Sequence, residues 1–134
     1  MTTVQRVAQV FGAVFILVAL LGFVASGGSM ESDMEQAPRV LGLFPVNVLH
    51  NLVHLAFGAW GLPASRSWGA AKTYCQASGV IYLVLAVLGF VVPETLGLMP
   101  IGGNDIWLHL GLGGVLAYFG FTARSTLGTT ARVW

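Results

Sequence analysis

Two short stretches hold most of the residues able to do chemistry. In "PVNVLHNLVHLAFGAWGL", residues 45–62, the side chains of Asn47, His50, Asn51 and His54 fall within about two helical turns of an apolar run. In "PIGGNDIWLHLGLGG", residues 100–114, Asn104, Asp105 and His109 interrupt a second such run. His50 and His54 are four residues apart, as are Asp105 and His109, so each pair shares one face of a helix. Three imidazoles and one carboxylate form a ligand set suited to zinc, iron, copper or manganese. Asn47, Asn51 and Asn104 would be outer partners that fix histidine orientation.

Two further chemistries use the same residues. His54 and His109 could serve as axial ligands to haem, with Gly58 and Gly113 one turn further along leaving room for the macrocycle. Asp105, His50 and His54 could also form a ladder for protons or a small solute. Against these stands a purely structural role. The cluster would then hydrogen-bond across two helices and fix their register, while Gly58, Gly61, Gly113 and Gly120 let the helices approach closely.

The elements that must position these residues follow from composition. Of 134 residues, 56% are hydrophobic and 8% are charged, and this length is that of one domain, 1–134. Six basic and five acidic residues cannot cover the surface of a soluble domain of this size, and the net charge of +1 offers no basic stripe for nucleic acid. Cys75 has no second cysteine to pair with in the chain and reads as a small buried hydrophobe. No P-loop, nucleophile elbow or dinucleotide fingerprint is present, so no enzymatic activity is expected from motif chemistry.

Charged residues divide the chain into four apolar segments, each near the roughly 20 residues that cross a bilayer as a helix. The expected spans are 5–26, 45–63, 70–92 and 104–123, with an acidic outer loop at 27–44 that is solvated or, less simply, docks a partner. The first span reads as retained and not as a cleaved leader, because its apolar run is too long for a signal. Pro45 suits the first turn of the second helix, Asn104 suits an N-cap for the fourth, and Pro63 and Pro93 suit the ends of the second and third. Four spans place Arg6, Arg66, Lys72, Arg124 and Arg132 on one side with both termini, and only Arg39 on the other. The positive-inside rule then makes the termini cytoplasmic. All five acids, Glu31, Asp33, Glu35, Glu94 and Asp105, fall outside. Trp68, Trp107 and Trp134 fall near span ends, where interfacial tryptophans belong.

The halves echo one another. "LVALLGFV" at 17–24 matches "VLAVLGFV" at 84–91, and "LGLFPV" at 41–46 matches "LGLMPI" at 96–101. Continuing the second register pairs His54 with His109, Gly58 with Gly113, and His50 with Asp105. A duplicated helical hairpin with its pseudo-twofold axis along the membrane normal is expected. His54 and His109 would then lie at equal depth, about 13–14 Å below the outer helix ends.

The stretches "LGLFPVNVLHNLVHLAFGAWGL" and "GLMPIGGNDIWLHLGLGGVLAYFGF" resemble the bacterial membrane proteins grouped as domain of unknown function 4383. The resemblance falls on Asn47, His50, Asn51, His54 and Gly58, and on Gly102, Gly103, Asn104, Asp105, His109 and Gly113. It implies a four-helix transmembrane bundle in the bacterial cytoplasmic membrane, akin to the wider DoxX-like group, and implies no activity. The expectation is an all-α, small multi-pass membrane protein that serves as a structural or accessory subunit, meeting lipid and other membrane subunits or a second copy. The alternative is a metal- or haem-binding redox protein using His54 and His109.

Overall fold

The computed structural model describes residues 1–125. Arg132 and Trp134 lie outside the described residues. Four helices carry the fold: α1 Thr3–Ser26, α2 Val48–Ala64, α3 Trp68–Val91 and α4 Asn104–Thr122. A 3-10 turn at Thr95–Gly97 sits between α3 and α4. Between α1 and α2 the chain forms two very short antiparallel strands, β1 Arg39–Val40 and β2 Phe44–Pro45, with Arg39 opposite Pro45. The segment expected as a solvated loop at 27–44 is therefore structured. Asp33 Oδ1 accepts from the amides of Glu35 and Gln36 at 2.8 and 3.1 Å, and the Met34 amide donates to Glu94 Oε1 at 3.2 Å.

Helix starts follow side-chain caps, because the first four amides of a helix have no partner within it. Thr2 and Gln5 form a reciprocal capping box on α1, and Ser67 caps α3. Asn47 caps α2, its Oδ1 accepting from the His50 amide at 2.9 Å. This corrects the expected start at 45. Pro45 lies in β2, and the extended backbone of Asn47, φ −141°, delays the helix until Val48. Pro63 lies inside the last turn of α2 and does not end it. Pro93 follows the end of α3 and its carbonyl accepts from the Ile101 amide at 2.8 Å. The cap of α4 is Gly103, at φ +61°, where a side chain would be strained. Asn104 is the first helical residue instead, and its Nδ2 donates to the Leu43 carbonyl at 3.2 Å, tying α4 to the strand pair.

The helices pack as two hairpins, α1 on α2 and α3 on α4. Contact between the hairpins runs mainly through α1 and α3, while the backbones of α2 and α4 stand further apart. The glycines that sequence placed between α2 and α4 therefore serve other seams. A Cβ at Gly58 would lie 2.8 Å from the Gly12 carbonyl oxygen on α1, and one at Gly113 would lie 3.0 Å from the Gly79 carbonyl oxygen on α3. Gly61 meets Gly12 and the Tyr74 hydroxyl, and Gly120 meets the backbone of Cys75 and Gln76. Each glycine brings two backbones together where any side chain would force them apart.

Among the described residues, α1 and α3 are long and apolar enough to cross a membrane. α2 is shorter, at 17 residues, and α4 opens on Asn104 and Asp105.

Gly58→Val is expected to destabilise the bundle by about 1–3 kcal/mol through overpacking. Gly114→Ala, which meets open space, is expected to be neutral or slightly stabilising. Thermal unfolding of the two variants would check this, and equal midpoints would contradict the seam.

Candidate metal centre

The histidines meet where the two hairpins face each other. His50 and His54 project from α2 and His109 from α4, and their relative exposures are only 3%, 4% and 1%. One ligand nitrogen of each lies within 4.8 Å of the others. The His50 ring sits 4.7 Å from the His54 ring and 6.0 Å from the His109 ring, centroid to centroid. Asp105, 2% exposed, brings Oδ2 to 3.7 Å from His50 Nε2. The backbones of Pro45 and Pro100 also approach the His50 ring.

The polar atoms of this group are poorly satisfied by protein. Among the described residues, Nδ1 of His54, Nδ1 of His109 and Oδ2 of Asp105 are buried without a hydrogen-bond partner. Each such atom costs on the order of 1–3 kcal/mol when left unpaired. Three imidazoles that converge with ring nitrogens unpaired, with a carboxylate oxygen 3.7 Å from one of them, are an arrangement that a cation relieves.

Two aromatic residues complete the chamber. Phe15 of α1 and Tyr82 of α3 stack on one another at 5.0 Å between centroids. Phe15 also lies parallel to His54 at 5.9 Å, and the edge of Tyr82 meets His109 at 5.3 Å. Both are wholly buried, and they form the wall behind the histidines. Sequence reasoning did not single them out. A signal was present: the register that pairs 17–24 with 84–91, run back two positions, pairs Phe15 with Tyr82.

The asparagines do other work than expected. Asn47 caps α2 and its Nδ2 donates to the Leu98 carbonyl at 2.9 Å, joining the two halves at one end. Asn51 faces away from the histidines toward α1, where its Nδ2 donates to Ser26 Oγ at 2.8 Å. Gly22 makes that possible, since a Cβ there would stand 2.0 Å from Asn51 Oδ1. Asn104 binds the strand pair, as described above. None of these three contacts is to a histidine ring, because each amide is taken by backbone or by Ser26.

A cavity of about 200 Å³ reaches His50, His54 and Asp105 from the side of the strand pair. Its other walls are apolar.

A family model described as domain of unknown function (DUF4383) matches residues 5–122. No curated protein and no solved structure matches.

The close fit of Gly22 to Asn51 gives a test by double-mutant cycle. Gly22→Ala is expected to cost about 1–2 kcal/mol by displacing Asn51 from Ser26, and to cost nearly nothing when Asn51→Ala is already present. Additive losses in thermal stability would contradict the contact.

Proposed function

Since the chain belongs to the DUF4383 family, a domain of unknown function, the reading of its role rests on the site itself, and we propose that it is a metal-binding membrane protein. His50, His54 and His109 hold one first-row transition ion. The observation that carries this reading is the convergence of three buried imidazoles, from two hairpins, with ligand atoms within 4.8 Å of one another. A tetrahedral ion with metal–nitrogen distances of about 2.0–2.1 Å needs its ligands about 3.3 Å apart. Ring rotation on two facing helices supplies the remaining closure. Imidazole ligands suit zinc, copper and iron. Asp105 stands beside this ligand set and outside it, its Oδ2 3.7 Å from His50 Nε2.

A single ion is better supported than haem. Phe15 and Tyr82 crowd the His54 ring, lying parallel to it at 5.9 and 6.4 Å and 5.0 Å from each other, and His50 stands 4.7 Å away. A macrocycle would need the space these rings fill.

We read all four helices as membrane spans arranged as a duplicated hairpin. The distribution of polarity supports this. Asn47, His50, Asn51, His54, Asp105 and His109 are buried, while Leu17, Leu20, Val84, Val87, Phe90 and Phe121 are exposed. Apolar side chains outside and polar ones inside is the arrangement a bilayer rewards. Those exposed faces then meet lipid or other membrane subunits. Matching contacts in the two halves support the duplication. Gly58 rests on Gly12 and Ile16 as Gly113 rests on Gly79 and Leu83, and Phe15 pairs with Tyr82 across the middle. α2 and α4 carry the buried polar side chains of the site, His50, Asn51, His54, Asp105 and His109.

Elemental analysis of protein purified in detergent tests the metal. About one transition ion per chain is expected, with loss of at least tenfold occupancy in His54→Ala and in His109→Ala. A metal-free wild type that also refuses added zinc and cobalt would overturn the reading. For topology, an impermeant maleimide is expected to label Glu31→Cys in intact cells and Gly69→Cys only after permeabilisation. The reverse pattern would place the termini outside.

A further inference from the structure

The cavity beside the histidines has a composition that fits one kind of guest. Val18 and Leu21 of α1, Val40 and Phe44 of the strand pair, and Leu108 of α4 form its walls. Among the described residues, the only ionisable groups facing it are His50, His54 and Asp105. Leu21 of α1 and Leu41, between the two strands, also line it and are themselves exposed.

Volume limits the guest. The cavity measures about 200 Å³. An apolar cavity of about 150 Å³ stays dry and accepts a benzene-sized molecule. Water is thus disfavoured along the apolar walls, and a molecule of about one aromatic ring fits. A charged guest would have to shed its hydration against valine and leucine, which costs far more than the walls return.

The polar end then fixes the head group. Three imidazoles leave a tetrahedral ion one open position, as in sites that handle a substrate. Asp105 Oδ2 lines the same cavity as His50 and His54, 3.7 Å from His50 Nε2, buried and without a hydrogen-bond partner. A hydroxyl satisfies both at once, its oxygen lone pair directed to the ion and its O–H donated to Asp105 Oδ2. An ether or a ketone would meet the ion and leave the carboxylate unpaired.

We infer that the centre takes an uncharged, lipid-soluble alcohol or phenol of about one-ring size, which enters sideways from the bilayer between α1 and the strand pair and places its hydroxyl between the ion and Asp105. This rests on the metal reading above. The bilayer supplies such a molecule at high local concentration, and the aqueous phase need not be crossed.

The test uses the full chain in detergent, loaded with cobalt(II), whose visible bands report a change of ligand. Phenol is the probe, with benzene and glycerol as comparisons. Phenol is expected to shift the bands saturably, benzene to compete with it without shifting them, and glycerol to do neither. Val18→Phe and Leu108→Trp, which fill the cavity from two different helices, should still load cobalt and should weaken phenol at least tenfold. Asp105→Asn should weaken phenol while leaving competition by benzene in place. Cobalt bands that phenol does not move, or moves equally in both filled variants, would overturn the inference and leave the metal reading standing. Failure to load cobalt at all would overturn the metal reading and this inference with it.

Discussion

Everything in this bundle is arranged around the cost of placing three imidazoles and a carboxylate where water is scarce. Such groups are tolerated in a low-dielectric interior only when they meet partners. Here they meet one another, at a point that neither hairpin reaches alone. α2 brings His50 and His54, α4 brings Asp105 and His109, and Phe15 and Tyr82 from α1 and α3 close the space behind them. No hairpin contains a complete set. The site is thus a property of the assembled bundle, and the assembly has to be accurate enough to hold ligand atoms within a few ångströms.

That accuracy comes from glycine seams within each hairpin. The seams at Gly12 with Gly58 and Gly61, and at Gly79 with Gly113, remove side-chain bulk where backbones cross. A pair of helices set this closely has little freedom to slide, because the ridges on either side of each glycine lock into the neighbouring turn. The caps add a second level of control. Asn47 sets the start of α2 and also binds Leu98 across the molecule, and Asn104 binds Leu43 in return. Each half thereby fixes the vertical position of the other's site-bearing helix.

Much of this was legible before any coordinates. The i, i+4 spacing of His50 with His54 and of Asp105 with His109 identified the facing surfaces, and the Leu-Gly-Leu-x-Pro echo paired His54 with His109, whose ligand atoms lie within 4.8 Å of each other. Helix pairing was partly misread. Glycines on α2 and α4 suggest that those helices touch, yet the glycines face α1 and α3, because helices adjacent in sequence form the hairpins and take the closest contacts. The asparagines were misassigned for a related reason. Spacing gives the face a side chain occupies, but not whether a backbone amide, a carbonyl or Ser26 reaches it first. Helix starts shifted by a few residues where a cap outweighed proline, as at Asn47 over Pro45. The small strand pair left no periodic signal, being only two residues on each side.

The correspondence of His50 with Asp105 has a consequence for how such a molecule is divided. Phe15 answers to Tyr82 and His54 to His109, so those parts of the chamber are nearly interchangeable between halves. At the one remaining pair the halves differ, one contributing a neutral donor of electrons and the other an acid. A bundle built from two copies of the first half would surround its axis with four imidazoles, and one built from two copies of the second would bring two carboxylates together. Neither would reproduce a centre with three nitrogen donors and a single proton acceptor. With both hairpins in one chain, that position can differ between them, and the asymmetry gives the chamber a front and a back.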